Sequence, residues 1–197
     1  MMKYQSIALF CGSSEGKEPI YVQAAQEFGR ACAQKGITLY YGGAALGLMK
    51  SAADASREAG GRVVGITPHF FSNRSVVDQT ILDMRVVESM SERKQEFEKL
   101  ADAFVVLPGG YGTLDELFEI VTDAQLGLHH KPIVILNTGG YYNHLIQLLN
   151  HFNREGFLRD FHHQLLSFVD QVDEIFIQLE QYQNSNDPKW LKKIKNE

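Results

Sequence analysis

Leu107-Pro108-Gly109-Gly110-Tyr111-Gly112-Thr113-Leu114-Asp115-Glu116 is the stretch that most clearly predicts the fold. It follows the apolar run 103–107 and opens an amphipathic segment that ends near Gly127, which is the pattern of a strand, a glycine turn and a helix start. Three glycines in four positions leave backbone N–H groups uncovered near the positive end of that helix. Such a turn suits a phosphate or another oxyanion, and we call residues 109–113 the glycine cradle.

Two other interpretations of this stretch are an NTPase loop and a plain helix start. A Walker-type loop requires Gly-Lys-Ser/Thr, whereas Gly112 is followed directly by Thr113, so an NTPase is disfavoured. Thr113 and Glu116 instead spell a capping box, in which each side chain closes a free N–H at the helix start. That interpretation accounts for Thr113 and Glu116 but not for the glycines. A carboxylate one turn from the cradle is also placed to face the sugar of a ligand.

The composition indicates one globular domain with a single hydrophobic core. The chain has 197 residues, of which 44% are hydrophobic and 22% charged, and a chain of this size buries roughly 70% of its unfolded surface. The net charge of -5 argues against nucleic acid and anionic membranes as partners. Cys11 and Cys32 are too few for a disulfide framework, so we expect reduced thiols and a cytoplasmic location. No apolar run approaches a membrane span.

Strand and helix patterns alternate along the whole chain. This alternation predicts the α/β class, with a doubly wound parallel sheet in a single domain and a ligand site at the carboxyl ends of the strands. We expect the domain to cover residues 1–182 and a polar tail to cover 183–197. Segment 157–168 is irregular, with some strand character. The predicted strands are 6–10, 37–41, 62–67, 81–87, 103–107 and 132–136, and the predicted helices include 19–35, 89–100, 141–155 and 172–182.

Two further turns follow predicted strands. Ser13 and Ser14 come after the first strand, at the place where α/β proteins bind ligands, although serines are also ordinary turn residues. Gly42 and Gly43 come after the second strand, but Ala44 breaks the G-x-G-x-x-G spacing of dinucleotide-binding proteins. The following strand also lacks the acidic residue that would hold a ribose. NAD binding is therefore disfavoured.

Two segments between these motifs have open interpretations. Residues 68–79 lose periodicity, which fits either a lid over a site or an ordinary connector. The next helix starts with a capping box formed by Ser89 and Glu92. Arg93 and Lys94 lie in its first turn. They are either solvated charges, with Lys94 paired to Glu98, or ligands of a bound anion that offsets their unfavourable position at a positive helix end.

The paired histidines lack a metal-ligand spacing, so we predict no metal site.

The motifs Ser89-Met90-Ser91-Glu92-Arg93-Lys94 and Pro108 to Glu116 together resemble the LOG family of nucleoside 5'-monophosphate phosphoribohydrolases, which includes cytokinin-activating enzymes. The likeness extends over about residues 10–158. It implies a Rossmann-like fold, a homodimer at least, and a hydrolase that releases free base and ribose 5-phosphate from adenosine monophosphates, as in AMP nucleosidase chemistry. The reaction that the resemblance implies requires no cofactor and no metal.

The resemblance also implies a role for individual residues. Arg93 and Glu116 are the expected catalytic residues: Glu116 contacts the ribose or orients water, and Arg93 contacts phosphate or base. The remaining expected site residues bind the nucleoside monophosphate substrate. They are Ser14, Gly43, Met90, Lys94, Gly109, Gly110, Tyr111, Gly112, Thr113 and Thr122.

Three positions depart from the family pattern, and two alternatives remain open. Ala44 replaces a usual third glycine, Ser91 a common histidine and Ser75 a frequent glutamate. These changes bear on the preference between adenine and an N6-substituted base more than on the reaction class. A non-catalytic nucleotide sensor or carrier would use the same cradle but would need only the glycines. The older family label of lysine decarboxylase finds no support, because no pattern for a pyridoxal phosphate lysine is evident.

Overall fold

The computed structural model describes residues 3–72 and 76–183, which form one seven-stranded parallel sheet with helices on both faces. The spatial order of the strands is β4-β3-β2-β1-β5-β6-β7. This is the predicted doubly wound α/β fold. The strands are β1 (Ser6–Phe10), β2 (Thr38–Tyr41), β3 (Val63–Pro68), β4 (Asp83–Val87), β5 (Ala103–Val106), β6 (Ile133–Leu136) and β7 (Leu166–Val169). The helices are α1 (Pro19–Gln34), α2 (Gly47–Glu58), α3 (His69–Ser72), α4 (Met90–Leu100), α5 (Tyr111–Gln125), α6 (Asn143–Arg154), α7 (Asp160–His163) and α8 (Val172–Gln181).

The strand order reverses between β1 and β5, which are neighbours in register from Ile7 with Ala103 to Phe10 with Val106. Chain connections leave these two strands in opposite directions, so their carboxyl ends open a crevice. The Leu107 amide donates to the Phe10 carbonyl at 2.9 Å, which carries the pairing one residue further. The loop after β1 and the glycine cradle after β5 therefore lie side by side, where the sequence analysis placed the site.

Each face of the sheet is buried by helices, because neighbouring side chains of a strand point to opposite faces. Ile7 and Leu9 belong to a core shared with helices α1, α2 and α8, whereas Ala8 and Phe10 belong to a second core shared with α4 and α5. The Phe10 ring packs edge-on against Phe97 of α4 at 5.4 Å between centroids. This contact fixes α4 against β1. No helix in the described ranges is long and apolar enough to cross a membrane.

The observed elements differ from the predicted ones mainly around glycines. Helix α6 begins at Asn143 instead of 141, because Gly139 and Gly140 have φ angles of 62° and 74° and form a short 3₁₀ turn first. Segment 157–168 contains a defined helix, α7, and most of strand β7. The segment predicted as a lid or connector starts with helix α3. Its residues 73–75 and the predicted tail from 184 onward lie outside the described residues.

Candidate active site

The glycine cradle leaves five consecutive amides available to a ligand. Helix α5 starts at Tyr111, its N-cap is Gly110, and its first turn closes with the Leu114 amide donating to the Gly110 carbonyl at 3.1 Å. The N–H groups of residues 109 to 113 donate to no other described residue. Free amides and the positive helix end together favour an anion at this point.

The capping-box interpretation of this helix start is wrong. Thr113 lies three residues inside the N-cap, and Gly110 has no side chain with which to cap the helix. The Glu116 carboxylate accepts a hydrogen bond from Arg93 instead of closing its own helix terminus. The capping box at α4 is only half formed: the Ser89 hydroxyl accepts from the Glu92 amide at 3.1 Å, but the Glu92 carboxylate accepts from the Glu88 amide.

The three glycines of the cradle have different environments. A Cβ atom on Gly109 would lie 2.1 Å from Oγ1 of Thr113 and 2.8 Å from the Gly12 amide nitrogen, so only glycine fits there. A Cβ atom on Gly110 or Gly112 would have no atom within 4 Å. The first glycine therefore permits close packing between the two loops, whereas the other two leave the backbone open to a ligand.

Arg93 and Glu116 form a buried ion pair beside the cradle. The Arg93 guanidinium donates to Oε1 of Glu116 at 2.9 Å, and the two residues are only 9% and 7% exposed. The same guanidinium lies 3.6 Å from the Met90 sulfur and over the Phe97 ring. Its Nε atom is buried and has no hydrogen-bond partner among the described residues. A buried donor without a partner is unfavourable, and a bound ligand is the natural acceptor.

The loop after β2 allows the guanidinium to occupy this position. A Cβ atom on Gly42 would lie 2.4 Å from a terminal nitrogen of Arg93, so any side chain there would displace the arginine. Gly43 is buried, with a φ angle of 72° that favours glycine. Gly42 thus makes room for the Arg93 guanidinium, whereas a Cβ atom on Gly43 would meet Met84 and Thr67.

Burial raises the pKa of Glu116 from 4.5 to about 7, while the positive charge of Arg93 acts in the opposite direction. Burial disfavours the charged carboxylate because the site replaces water with an apolar surrounding. A carboxyl group that titrates near neutrality can both hold and release a proton at physiological pH. This is the property expected of an acid or base in catalysis.

Two cavities meet at Ser13, between the cradle and the neighbouring loops. One has a volume of about 360 Å³ and brings Arg93 and Gly112 together with a mostly apolar wall that includes Met49, Phe71 and Val77. The other has a volume of about 280 Å³ and lies between Ser14, the first two cradle glycines and the rings of Tyr21 and Tyr141. The crevice can therefore take an elongated ligand with one polar and one apolar end.

The outer wall of the larger cavity is a segment of the predicted lid. The Ala45 amide donates to the Val76 carbonyl at 2.7 Å, and the Asp78 amide donates to the Gly43 carbonyl at 2.9 Å. The buried Asp78 carboxylate in turn accepts from the backbone and hydroxyl of Thr80 at 2.9 and 2.6 Å. This anchor holds the described end of the segment against the loop after β2.

The structure gathers most, but not all, of the residues expected to bind substrate. Ser14, Gly43, Met90 and the three cradle glycines border the crevice or Arg93, whereas Thr113 is buried against Gly109. Lys94 instead pairs with Asp115 at 3.2 Å and with Glu119, and not with Glu98 as the sequence suggested. Thr122 lies about 16 Å along α5 from the helix start. Its hydroxyl donates to the Phe118 carbonyl, away from both cavities.

Tyr111 also points away from the crevice, since it is 96% exposed and lies on the outer face of α5 with Thr122. Two residues that the sequence analysis did not identify, Asp78 and Tyr141, do contact the site loops. Tyr141 follows β6, the strand next to β5, so the rule that carboxyl ends of adjacent strands meet gave a signal for it. No sequence signal pointed to Asp78, because its role depends on a contact with Gly43 in a loop that is distant in sequence.

Comparison with known proteins identifies relatives over almost the whole chain. A family model described as "Possible lysine decarboxylase" matches residues 49–179. Cytokinin riboside 5'-monophosphate phosphoribohydrolase LOG7 of Arabidopsis thaliana is 40% identical over 181 residues, which cover 92% of this chain and 83% of that protein. The phosphoribohydrolase LOG of Oryza sativa subsp. japonica is 37% identical, covering 91% of this chain and 74% of that protein.

Solved structures share the fold at lower identity. The molybdenum cofactor carrier protein of Chlamydomonas reinhardtii superimposes with a TM-score of 0.67 and 20% identity, covering 91% of this chain and 98% of that one. At this identity the likeness concerns the architecture alone.

The site does not suit the pyridoxal phosphate that amino acid decarboxylases use. That cofactor needs a lysine for its Schiff base, and neither cavity has a lysine in its lining within the described ranges. The nearby Lys94 is held by two carboxylates. The residues present therefore do not fit the chemistry named in the description of the family model.

Proposed function

The chain belongs to the LOG family of cytokinin riboside 5'-monophosphate phosphoribohydrolases, and we propose from this premise that it is a hydrolase of the same kind. Its reaction would be hydrolysis of the N-glycosidic bond in adenosine 5'-monophosphates, with or without an N6 substituent, to free base and ribose 5-phosphate. The observation that carries the proposal is the position of a buried carboxylate and guanidinium beside five backbone amides that donate to no other residue in the described part of the chain.

The phosphate of the substrate binds at the glycine cradle in this proposal. The amides of residues 109 to 113 and the start of α5 supply donors and positive potential, and Ser14 lies across the same cavity. A chain with net charge -5 does not attract anions through its overall charge. The local positive potential of the cradle is therefore what captures the nucleotide.

Glu116 and Arg93 act on the sugar and the base. As the bond between C1' and the base nitrogen breaks, its electron pair leaves with the base and positive charge develops on the ribose. The Glu116 carboxylate stabilises that charge and takes a proton from the water that adds to C1'. Arg93 donates hydrogen bonds to the departing base, and the base nitrogen finally takes up the proton that Glu116 removed from the water. Neither a metal nor an organic cofactor takes part in these steps.

The base occupies the larger cavity. Its wall is mostly apolar, with Met49, Phe71 and Val77 facing the space beside Arg93. A planar base with an apolar N6 substituent fits such a lining better than the polar groove at the cradle. We therefore expect isopentenyladenosine monophosphate to be cleaved with a higher kcat/KM than AMP.

We also propose that the protein is a homodimer that works in the cytoplasm. The outer face of α5 carries the 96% exposed Tyr111 next to the partly exposed Leu114 and Phe118, and a second copy of the chain would cover these groups. The two cysteines are buried free thiols, which suits a reducing compartment. Light scattering should give twice the protomer mass of 22.2 kDa; a single protomer mass would reject the dimer.

Chromatography of a reaction with AMP tests the activity directly. We expect equal amounts of adenine and ribose 5-phosphate from the wild-type protein and no adenine from Glu116→Gln. Saturable binding of AMP without release of adenine would favour the non-catalytic sensor or carrier. A parallel reaction with isopentenyladenosine monophosphate measures the preference between the two bases.

A further inference from the structure

Three successive carbonyl groups that lead into the glycine cradle each accept a hydrogen bond from another part of the fold. The Tyr142 hydroxyl donates to the Leu107 carbonyl at 2.8 Å, and the Gly12 amide donates to the Pro108 carbonyl at 2.9 Å. The Tyr141 hydroxyl donates to the Gly109 carbonyl at 2.7 Å. Each bond fixes the rotation of one peptide plane.

The orientation of a carbonyl also sets the orientation of the next amide. In a planar trans peptide, the C=O of one residue and the N–H of the next point in opposite directions. The hydrogen bond from Gly12 therefore points the Gly109 N–H away from Gly12. In the same way, the hydrogen bond from Tyr141 points the Gly110 N–H away from the tyrosine. The bond from Tyr142 directs no amide, because the following residue is Pro108, which has no N–H.

The peptide between Gly109 and Gly110 needs this support more than an ordinary peptide does. Both flanking residues are glycines, and without Cβ atoms their backbone angles restrict the orientation of the plane less than those of other residues do. A turned plane would present the Gly109 carbonyl oxygen to a bound phosphate in place of the Gly110 N–H. Two negatively polarised groups would then face each other.

We infer that Tyr141 is a positioning residue for phosphate binding, whose hydroxyl holds the Gly110 amide toward the ligand. The inference rests on the proposed function and adds a residue to it. Tyr141 itself is held by its ring, which packs edge-on against Tyr21 at 5.6 Å and against Tyr142 at 4.9 Å. Replacement by phenylalanine keeps these ring contacts and removes only the hydroxyl.

Tyr142 provides a matched control. Its hydroxyl makes a bond of almost the same length to the same loop, but one that orients no amide. Tyr142 is 3% exposed, so Tyr142→Phe leaves a buried carbonyl without its partner and should lower the melting temperature. Tyr141 is 41% exposed, so Tyr141→Phe should change the melting temperature less.

The experiment compares wild type, Tyr141→Phe and Tyr142→Phe. Titration calorimetry measures their affinities for ribose 5-phosphate and adenine, and for AMP in the Glu116→Gln background that does not cleave it, and AMP kinetics are measured in parallel. For Tyr141→Phe we expect a rise of about fivefold to tenfold in the dissociation constants of both phosphate-containing ligands and in KM. Adenine affinity and kcat should stay within about twofold of wild type. Tyr142→Phe should keep the phosphate affinities and lose thermal stability.

Three outcomes would overturn the inference. If Tyr141→Phe binds AMP and ribose 5-phosphate as tightly as an active wild-type enzyme does, the proposed function stands and the role of Tyr141 falls. If both variants lose phosphate affinity in proportion to their loss of melting temperature, the hydroxyl is merely structural. If the wild-type protein binds neither phosphate-containing ligand, the proposed function fails and this inference fails with it.

Discussion

The Arg93 guanidinium, on α4, donates to the Glu116 carboxylate, on α5, across 2.9 Å in an almost water-free site. An ion pair in such a place is costly to assemble, because both charges lose their hydration. Burial raises the pKa of Glu116 in spite of the neighbouring positive charge. The Arg93 Nε has no hydrogen-bond partner among residues 3–72 and 76–183. Both this atom and the ion pair are more easily explained by a role in acting on a substrate than by a contribution to stability.

Glu116→Gln and Arg93→Ala should each lower kcat/KM for AMP by at least about a hundredfold, because each removes a group that acts on the transition state. Glu116→Gln keeps the shape of the side chain and should fold normally by circular dichroism. Arg85→Ala is the matched control, since Arg85 likewise pairs with a glutamate, Glu96 at 3.5 Å, but its side chain is 39% exposed. Near-normal turnover in either site variant would reject the assigned roles.

Activity should fall as the pH is lowered through about 7, because Glu116 must be a carboxylate to stabilise positive charge and burial raises its pKa to about 7. A pH profile of kcat/KM for the wild-type enzyme measures this midpoint. A rising limb centred near pH 4.5, the ordinary pKa of a glutamate, would show that burial does not control the group.

The same raised pKa predicts the sign of a stability effect. Between pH 4.5 and about 7 the folded protein holds a proton on Glu116 that the unfolded chain releases. This contribution to stability is therefore complete below pH 4.5 and is lost as the pH rises through about 7. Melting temperatures measured across this window should decline less in Glu116→Gln than in the wild type. Parallel curves for the two proteins would contradict the prediction.

Gly109→Ala should destabilise the protein by about 1–3 kcal/mol and weaken AMP binding, because its Cβ atom would overlap Thr113 and the Gly12 backbone. Gly112→Ala introduces the same methyl group into open space and should keep the melting temperature. Chemical denaturation of both variants measures the difference. Equal stability of the two would show that the loops are not packed as closely as described.

Asp78→Ala should destabilise the fold by about 1–3 kcal/mol, because the buried Tyr41 hydroxyl and the amide and hydroxyl of Thr80 lose their acceptor. It should also raise KM, since Asp78 anchors one wall of the larger cavity. Burial opposes ionisation of Asp78, but the Thr80 hydrogen bonds and Lys50 outweigh it and hold the pKa of the carboxyl below its ordinary value.

Asp54→Ala is the control for loss of a charge near Lys50. Asp54 lies on α2 and pairs with Lys50 at 2.7 Å, but it borders a surface groove instead of the larger cavity. We expect an effect on stability below about 0.5 kcal/mol and an unchanged KM. If Asp54→Ala raised KM as much as Asp78→Ala, the lost charge and not the anchored wall would be responsible.

The fold and the centre of the site were readable from the sequence for physical reasons. Strands buried on both faces give apolar runs such as Ala103 to Leu107, and glycine turns after them mark the carboxyl edge of a parallel sheet. The sequence left two interpretations of Thr113 and Glu116 open, because their pattern is the same whether the two residues cap a helix or lie within it. Only the partner chosen by Glu116, which is Arg93, separates these cases.

The rest of the site depends on contacts that leave no local pattern. The partners of Lys94 could not be deduced because Glu98, four residues along α4, is at a suitable helical spacing, and only the packing of α4 against α5 selects Glu119 and Asp115. Tyr141 contacts Gly109 across 32 positions of sequence. Tyr111 and Thr122 lie on the outer face of α5 and line neither cavity of the crevice, so their expected contact with the substrate stays a prediction.

A crystal structure of Glu116→Gln with AMP tests the central claim most directly, because the variant should bind the substrate without cleaving it. We expect phosphate oxygens at about 3 Å from the amides of residues 109 to 113. The ribose C1' should lie beside residue 116 and the base against Arg93 in the larger cavity. An empty cradle, or a nucleotide bound with its phosphate elsewhere, would contradict the claim.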